Sequence, residues 1–260
     1  MLREILEDYK QGWQGKDLWL HNSLMELKQR YRRSVLGPFW ISLSLAIMIF
    51  SIGILWSKLW KIEVGEYLPY FTVGLLLWTF ISTILTEGAQ VFTKSTNIIK
   101  QINLPFSFYV YNMIWKNLLI FGHHCVVYIL IVLFFKVPIT ASILLVIPGL
   151  VLYCLTALWV VPCLGVLCAR FRDVEQIISP LLTVLFFMTP IIWKLDWSGK
   201  KALFIKINPI FHYIEILRAP LLGYVPKVEN YAVVISCTII GLLLSLIVMM
   251  KNKRKIAYWI

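Results

Sequence analysis

One long apolar run carries hydroxyl and aromatic side chains at a spacing that could bind a carbohydrate. Positions at 0, +4, +7, +11 and +14 share one face of a helix, and here they hold Ser179, Thr183, Phe186, Pro190 and Trp193. A sugar ring can stack its C–H faces on aromatic rings and exchange hydrogen bonds with hydroxyl groups. The pattern predicts the lining of a passage for carbohydrate. Ordinary contact between membrane helices is the alternative, since it also uses small hydroxyl residues.

Two earlier apolar runs repeat this combination of hydroxyl and aromatic groups at helical spacing. Like the first run, they place no fixed charge among these side chains, so a moving polymer would not be held by an ionic contact. The predicted channel-lining residues of the three runs are Trp40, Ser44, Ser51, Thr72, Thr79, Thr83, Ser179, Thr183, Phe186 and Trp193.

No pattern in the chain predicts catalysis, a metal site or a bound cofactor. The sequence lacks G-x-x-x-x-G-K-[ST], whose backbone amides would hold phosphates, and it lacks H-E-x-x-H, G-x-S-x-G and G-x-G-x-x-G. An acidic pair, Asp173 and Glu175, falls between two apolar runs beside Arg170 and Arg172. A membrane glycosyltransferase would normally carry a sizeable soluble domain around such a pair. We therefore interpret the pair as a helix cap and a charged contact with a partner protein.

The composition places these residues in a membrane. Of 260 residues, 60% are hydrophobic and 15% are charged, whereas soluble domains average about 45–50% apolar and about 25% charged. Several continuous apolar runs reach the ~18 residues needed to cross a bilayer, and their lack of alternation favours helices over a β-barrel. The net charge of +12 does not indicate nucleic-acid binding, because Lys and Arg lie between the apolar runs. The five cysteines lie in or beside these runs without a C-x-x-C pair, which is typical of buried thiols.

The predicted fold class is an all-α integral membrane protein with six transmembrane helices. The predicted spans cover residues 39–57, 68–86, 118–135, 143–167, 177–193 and 232–250. Fifteen of the 25 Lys and Arg residues fall on the side that holds both termini, and nine fall on the other side. This bias predicts that both termini are cytoplasmic.

We predict one transmembrane domain for the whole of residues 1–260. Residues 1–38 form cytoplasmic amphipathic helices, residues 39–250 form the six-span bundle, and residues 251–260 form a basic cytoplasmic tail. The apolar side chains before the first span recur at helical spacing with charges between them. The second amphipathic helix should lie along the membrane interface until Gly37 and Pro38 turn the chain inward.

Two loops have patterns of their own. The inner loop, residues 87–105, mixes apolar and polar positions as a short amphipathic helix does. The outer loop, residues 194–230, has two apolar stretches that are too short to span, so they predict re-entrant or interfacial helices broken at Asn208-Pro209 and before Pro220. Glu215 and Arg218 can pair at i and i+3, and an exposed pair of this kind contributes little to stability.

Three basic side chains lie in or next to the third predicted span. Lys116 lies just before this span and is expected to extend toward the cytoplasmic interface. His123 and His124 lie deeper in the span. A proton relay is one interpretation, and a neutral imidazole bonded to a neighbouring helix is the other, since no acidic residue lies within any predicted span.

Several short motifs occur in order along this six-span frame. They are RYRRSVLGPFW at 30–40, NIIK at 97–100, LP at 104–105, FRDV at 171–174, TPI at 189–191 and NP at 208–209, followed by Glu215 and Arg218. The motifs resemble those of the permease subunits of type-2 ABC exporters, which move O-antigen, capsular polysaccharide or teichoic acid. The resemblance covers nearly the whole chain. The pair His123-His124 is not part of that resemblance.

The resemblance implies roles for three groups of residues. The N-terminal helix and the inner loop would contact an ATPase subunit, and the short outer helices would close the extracytoplasmic end of the channel. The implied ATPase-coupling residues are Arg30, Arg32, Arg33, Thr96, Asn97, Lys100, Arg170, Arg172 and Asp173. The implied extracytoplasmic gate consists of Asn208, Pro209, Glu215 and Arg218.

The function implied by the resemblance is export of a lipid-linked polysaccharide, such as an undecaprenyl-linked O-antigen, across the bacterial inner membrane. The expected assembly is a homodimer of this chain with two cytoplasmic ATP-binding subunits, which would hold the ATP and magnesium. Membrane lipids and the lipid-linked polymer are the other expected partners, and nucleic acid is not one. Alternatives within the family are capsule, teichoic acid, or a small lipid or drug as cargo. From another class, an ion-coupled secondary transporter would show internal repeats and intramembrane carboxylates, and the sequence shows neither.

Overall fold

A computed structural model describes residues 1–30, 32–35, 37, 39–193 and 205–260. Over these residues the regular structure is helical. In chain order the elements are α1 (Leu2–Gln14), α2 (Lys16–Arg30), α3 (Phe39–Trp60), α4 (Val64–Ala89), α5 (Thr96–Gln101), α6 (Phe106–Phe135), a 3₁₀ helix (Ala141–Leu145), α7 (Val146–Arg170), α8 (Asp173–Met188), α9 (Pro209–Leu221) and α10 (Val228–Trp259). The predicted all-α class is therefore confirmed for the described part of the chain.

Five of the described helical segments are long and apolar enough to cross a bilayer. They are Phe39–Trp60, Val64–Ala89, Phe106–Phe135, Ala141–Arg170 and Val228–Trp259. Helices α4 and α6 are antiparallel, since Phe80 contacts Phe121 and Glu87 contacts Asn117, whereas α7 and α10 run in the same direction, since Thr156 contacts Thr238 and Arg170 lies beside Trp259. One end of the bundle carries α1, α2 and α5 and is here called the α1/α2 end. The opposite end carries α9 and is called the α9 end.

The segment predicted as the fifth span is helical over only part of its length. Helix α8 ends at Met188, and residues 189–193 form an irregular turn. Pro190 explains the break, because a proline has no N–H to donate and disfavours the α conformation of the residue before it. The 16 residues of α8 rise about 24 Å, which is less than the ~30 Å hydrocarbon core.

Several other helices extend beyond the apolar runs that predicted them. Helix α6 starts at Phe106 rather than residue 118, and α10 continues to Trp259 through the basic segment predicted as a tail. Hydropathy marks only the part of a helix that contacts hydrocarbon, whereas backbone hydrogen bonds continue wherever neighbouring helices support them. The second amphipathic helix ends at Arg30, earlier than predicted, and Pro38 of the predicted turn lies outside the described residues.

Helix α4 is the centre of the bundle. It packs against α3, α6, α7, α8 and α9, and its side chains are buried on all sides. Those fully or almost fully buried include Tyr67, Leu68, Phe71, Val73, Leu75, Leu76 and Leu77. A helix that is apolar around its whole circumference belongs in an interior of this kind, so α4 fixes the relative positions of the other long helices.

Glycines let the long helices approach each other closely. A Cβ atom added at Gly241 of α10 would lie 2.2 Å from ring atoms of Trp159 on α7, and one added at Gly53 of α3 would lie 2.4 Å from Leu68 Cδ1 on α4. Small residues at such crossings allow the backbones to come close, which is how helices associate in a bilayer where the hydrophobic effect does not drive them together.

We expect Gly241→Ala to lower the free energy of unfolding by about 1–3 kcal/mol, because the new methyl group would overlap the Trp159 ring. The matched control is Gly122→Ala on α6, where nothing lies within 4 Å of the new Cβ, so this change should be neutral or slightly stabilising. Thermal unfolding of the detergent-solubilised protein measures both. Equal melting temperatures for the two variants would contradict the close α7–α10 contact.

Candidate functional site

Asp8 on α1 anchors the N-terminal helix to the beginning of α6. Its carboxylate accepts hydrogen bonds from the backbone N–H groups of Phe106, at 3.1 Å, and Ser107, at 2.9 Å. The first N–H groups of a helix have no partner within the helix, and a negative charge there is favourable. Asp8 is almost completely buried and also lies 2.8 Å from Lys253 Nζ on α10. One carboxylate thus joins α1, α6 and α10.

A second, exposed contact joins α1 to the end of α10. Arg254 donates to Glu4 Oε1 over 2.6 Å, and this guanidinium holds the pKa of the Glu4 carboxyl below its usual value. Exposed ion pairs contribute little to stability, so the buried contact of Asp8 carries more of this attachment.

Helix α2 is attached through a polar cluster around Lys116. The Lys116 ammonium lies 3.2 Å from Glu26 Oε2 on α2 and 3.1 Å from Glu87 Oε2 on α4. Asn112 donates to Glu26 over 2.8 Å, and Asn22 donates to Asn112 over 3.0 Å. Lys116 was expected to extend toward the membrane interface. Instead it is mostly buried and links three helices, because the two carboxylates satisfy its charge inside the protein.

Aromatic side chains fill the space between α1, α2 and α6. Trp19 of α2 lies with its ring centroid 5.7 Å from that of Tyr111 and 6.3 Å from that of Trp115 on α6. Trp13 of α1 is 5.9 Å from Tyr111. The N-terminal segment therefore packs part of its apolar surface on the same subunit, while Leu2, Leu6 and Leu24 stay exposed, and α1 and α2 form a platform at the α1/α2 end.

The residues predicted to contact an ATPase lie at the same end of the bundle. Most are exposed: Arg30, Arg32 and Arg33 at the end of α2 and just after it, Asn97 and Lys100 on α5, and Arg170, Arg172 and Asp173 between α7 and α8. Thr96 is half-buried, and its hydroxyl donates to the Thr93 carbonyl over 2.6 Å. Helix α5 and Arg170 are also connected through α10, since α5 packs on that helix and the Arg170 guanidinium lies 5.5 Å from the Trp259 ring.

The predicted channel-lining residues divide into exposed and buried groups. Trp40, Ser44 and Ser51 on α3 are exposed on the subunit, as are Ser179 and Thr183 on α8. These two helices therefore present hydroxyl groups on the surface of the subunit.

The remaining channel candidates lie partly or fully inside the subunit. Thr79, Thr83, Phe186 and Trp193 are half-buried, and Thr72 is completely buried with its hydroxyl donating to the Leu68 carbonyl over 2.7 Å. The structure thus does not bring all ten candidates onto one surface.

The turn at residues 189–193 is held by side chains from two other helices. Tyr70 on α4 donates to the Pro190 carbonyl over 3.0 Å, and Arg218 on α9 donates to the same oxygen over 2.6 Å. Tyr67 donates to the Ile192 carbonyl over 2.5 Å. Backbone carbonyls that leave a helix need other partners in an apolar interior. These three side chains provide them, and so they fix the turn to α4 and α9.

Helix α9 begins with two of the residues predicted for the gate. The Asn208 side chain accepts from the Ile210 N–H over 3.0 Å, which caps the helix, and Pro209 occupies the first turn, where its missing N–H costs nothing. Asn208 Nδ2 also donates to Thr189 Oγ1 over 3.0 Å. The cap of α9 is therefore joined directly to the turn that ends α8. Pro220 does not break α9, which continues to Leu221.

The other two gate residues form a buried ion pair. Arg218 Nε donates to Glu215 Oε1 over 2.8 Å, and the side chains of Arg218 and Glu215 are only 3% and 16% exposed. The guanidinium also lies 4.4 Å from the centroid of the Tyr70 ring, within cation–π range. The pairing at i and i+3 is confirmed, but the expectation of an exposed pair was wrong. The spacing of residues along α9 does not indicate that α4 and the 189–193 turn cover the side of the helix that carries Glu215 and Arg218.

His123 and His124 lie on two sides of α6. His123 Nδ1 is 2.8 Å from the Leu119 carbonyl oxygen, and Ser42 on α3 donates to the His123 carbonyl over 2.6 Å. His124 faces α4 and lines a cavity of about 10 Å³ together with Asn117. Among the described residues, neither histidine has an acidic partner within salt-bridge distance.

Sequence reasoning missed the side chains that connect these elements. Asp8, Glu26 and Glu87 were not singled out, because their partners are tens of residues away in the chain. Tyr67 and Tyr70 looked like ordinary aromatic residues near a span end. The only local signal was Pro190. A proline can end a helix, but it does not indicate which side chains donate hydrogen bonds to the carbonyl groups that are then left without partners.

Comparison with known proteins gives a consistent result. A family model described as ABC-2 type transporter matches residues 19–222. The chain is similar to the O-antigen export system permease protein RfbA of Myxococcus xanthus, with 26% identity over 214 residues that cover 81% of this chain and 80% of that protein. A protein of the same name from Klebsiella pneumoniae is 22% identical over 240 residues, which cover 85% of each chain. Another protein of that name from K. pneumoniae is 23% identical over 203 residues, or 71% of this chain and 72% of that protein.

Proposed function

The chain belongs to the ABC-2 type transporter family, and from this premise we propose that it forms the channel of an ATP-driven exporter. The family and the five apolar helices make it a multi-pass membrane permease subunit. The proposed cargo is a lipid-linked polysaccharide of the O-antigen type, carried on an undecaprenyl lipid across the bacterial inner membrane. Both termini would be cytoplasmic, which places the α9 end on the outer side.

The observation that carries this proposal is the similarity to three permeases whose names specify O-antigen export. The similarity extends over 71–85% of this chain, and the family match over residues 19–222 runs from within α2 to the end of α9. The hydroxyl groups on the exposed faces of α3 and α8 also fit an uncharged polar cargo.

The energy would come from a separate ATP-binding subunit, since the sequence has no G-x-x-x-x-G-K-[ST] motif. Family membership implies such a partner. We place two copies of it, with ATP and magnesium, against the α1/α2 end. The exposed basic residues after α2 and the exposed segments at α5 and between α7 and α8 support that placement. An attached platform is needed there, because force from a partner must reach the membrane helices through fixed contacts.

We infer that α8 and the turn after it make the sixth crossing, and that α9 is re-entrant. The side chain of Tyr213 on α9 supports this, because its hydroxyl lies 3.1 Å from the Thr156 hydroxyl, ten residues into α7. Ten helical residues correspond to a depth of about 15 Å, so the first turns of α9 would lie near the middle of the bilayer. From there α9 would rise to the outer surface.

The channel would lie between two copies of the chain. One six-span subunit is too small to enclose a passage for a polymer, and a twofold assembly is the simplest closed arrangement. The exposed positions Trp40, Ser44, Ser51, Ser179 and Thr183 are the ones that a passage between subunits could reach without rearrangement. Thr72 would instead stabilise the inside of each subunit.

Deletion of the gene tests the proposal. We expect the deletion strain to lose its surface O-antigen and to retain lipid-linked polymer on the cytoplasmic side, and a plasmid copy to restore export. Immunoblots measure the surface polymer, and antibody labelling of spheroplasts before and after permeabilisation measures the lipid-linked polymer on the cytoplasmic side. Undiminished surface polymer in a strain without another exporter would rule out the proposed function. If the deletion strain instead loses a capsule or teichoic acid, that polymer is the cargo and O-antigen is not.

A further inference from the structure

A cavity of about 500 Å³ opens at the α9 end, next to the 189–193 turn. Its wall comes from the beginning of α4, from α9, and from the segments that follow α6 and α9. Sites for small ligands have volumes of about 300–1,000 Å³, so the cavity is large enough for a ligand and not merely a packing defect. It lies at the opposite end from the platform and is separate from the exposed hydroxyl faces of α3 and α8.

The polar groups around the cavity include both hydrogen-bond donors and acceptors. Carboxylates of Glu66 and Glu215 can accept, while the ammonium groups of Lys136 and Lys227 can donate, and Arg218 lies at the inner wall. A ligand with many hydroxyl groups uses both kinds of partner at once, because each hydroxyl donates one hydrogen bond and accepts others.

The balance of charge argues against a small anion as the ligand. Two acidic side chains offset two of the three basic ones around the cavity, and Arg218 is already bonded to Glu215. A site for phosphate or sulfate would instead have several cations converging without acidic neighbours. The arrangement suits an uncharged ligand that is rich in hydrogen-bonding groups.

Aromatic rings complete the lining. Tyr70 stands at the inner wall, and Tyr224 stands at the mouth, where it is 68% exposed. An aromatic ring beside hydroxyl-binding groups offers a face for the C–H side of a sugar ring. Phe135 and Phe211 add further apolar surface to the wall.

We propose that this outer cavity binds a short saccharide segment of the exported polymer, an inference that rests on the proposed function. The bound segment contacts Tyr70 and Arg218, the same side chains that hold the Pro190 carbonyl. A ligand in the cavity therefore contacts the side chains that hold the turn at the end of α8. The cavity recognises the polymer on the outer side, after it has passed the membrane.

Binding of a saccharide to the purified transporter with its ATPase partner tests the proposal. The probe is the oligosaccharide released by mild acid from the surface polymer of the strain that carries this chain. We expect Tyr224→Ala to weaken its binding about tenfold, because one stacking surface is lost. The matched control is Tyr258→Ala, since Tyr258 is 88% exposed at the other end of the bundle. Its affinity should stay within about twofold of the parent value. Titration calorimetry measures the saccharide affinity of the parent and of the two variants.

Three results would overturn the proposal. They are equal affinities for the parent and Tyr224→Ala, no binding by the parent at millimolar saccharide, and displacement of the saccharide by inorganic phosphate, which would indicate an anion site. Both substituted tyrosines are exposed, so misfolding does not account for a difference between them. If the deletion strain loses its surface polymer while the parent binds no saccharide, only the cavity proposal fails. If that strain keeps its surface polymer, the proposed function and the cavity proposal both fail.

Discussion

Replacing Arg218 with methionine is expected to lower the free energy of unfolding by about 3–5 kcal/mol, because it leaves the buried Glu215 carboxylate without its partner. The change also removes the 2.6 Å hydrogen bond to the Pro190 carbonyl and the contact with the Tyr70 ring. Unfolding of the purified protein in mixed micelles at rising concentrations of sodium dodecyl sulfate, followed by tryptophan fluorescence, measures the loss.

Two further variants show whether burial of the pair is the cause. Adding Glu215→Leu to Arg218→Met should recover part of the lost stability, since no unpaired charge then remains inside the protein. Arg3→Met is the matched control, because Arg3 forms an ion pair with Glu7 and its side chain is 92% exposed. It should change the free energy of unfolding by less than about 1 kcal/mol. If the free energy of unfolding lost by the double variant equals the sum of the losses of the two single variants, the two side chains do not act as a pair.

Replacing Lys116 with methionine is expected to loosen helix α2. The substitution leaves Glu26 and Glu87 on the two sides of an uncharged side chain, so two carboxylates repel each other in a partly buried space. Because both carboxylates keep some contact with solvent, we expect a smaller loss of about 2 kcal/mol. Hydrogen exchange of the α2 backbone amides should then be about 30 times faster.

The matched control for this change is Lys28→Met, an exposed position on α2, which should leave exchange in α2 nearly unchanged. Adding Glu26→Gln to Lys116→Met should restore part of the protection, because one of the two negative charges is removed. If exchange in α2 is as slow in Lys116→Met as in the parent, the polar cluster does not hold the platform, and the aromatic contacts of Trp19 must do so alone.

The helical architecture could be predicted from the sequence because a bilayer leaves few alternatives. An apolar run long enough to cross must form backbone hydrogen bonds internally, so the runs near residues 39–57 and 232–250 predicted the existence of α3 and α10. Their ends were less predictable. Helix α10 continues through four basic residues to Trp259, because it packs on α1 and α7 there, and hydropathy contains no information on that packing.

The contacts that organise the two ends of the bundle could not be predicted in the same way. Asp8 caps a helix that begins almost a hundred residues later, and no local pattern links the two. Pro190 was assigned to one face of a continuous fifth span, whereas the helix ends at Met188, and the three side chains that donate to the carbonyls of the following turn come from α4 and α9. The burial of Arg218 also depends on this long-range packing. Such contacts arise from tertiary structure, which single-residue types and spacing do not determine.

For the candidate site, the sequence predicted which residues lie at the same end of the bundle better than it predicted which residues share one surface. The basic and polar residues assigned to a partner protein do lie at one end of the bundle. The hydroxyl residues assigned to a channel separate, because Thr72 faces the interior while Ser179 and Thr183 face outward. Helical spacing tells which residues share a face of one helix, but not whether that face meets another helix, lipid or a passage.

Transport by the reconstituted protein tests the central claim most directly. Proteoliposomes that contain this chain and its ATP-binding partner receive a fluorescent lipid-linked saccharide, and its appearance on the opposite leaflet is followed by chemical quenching. We expect movement that requires both subunits and ATP, and no movement by this chain alone. Movement at the same rate by the chain without partner or ATP, or no movement by the complete assembly, would contradict the claim.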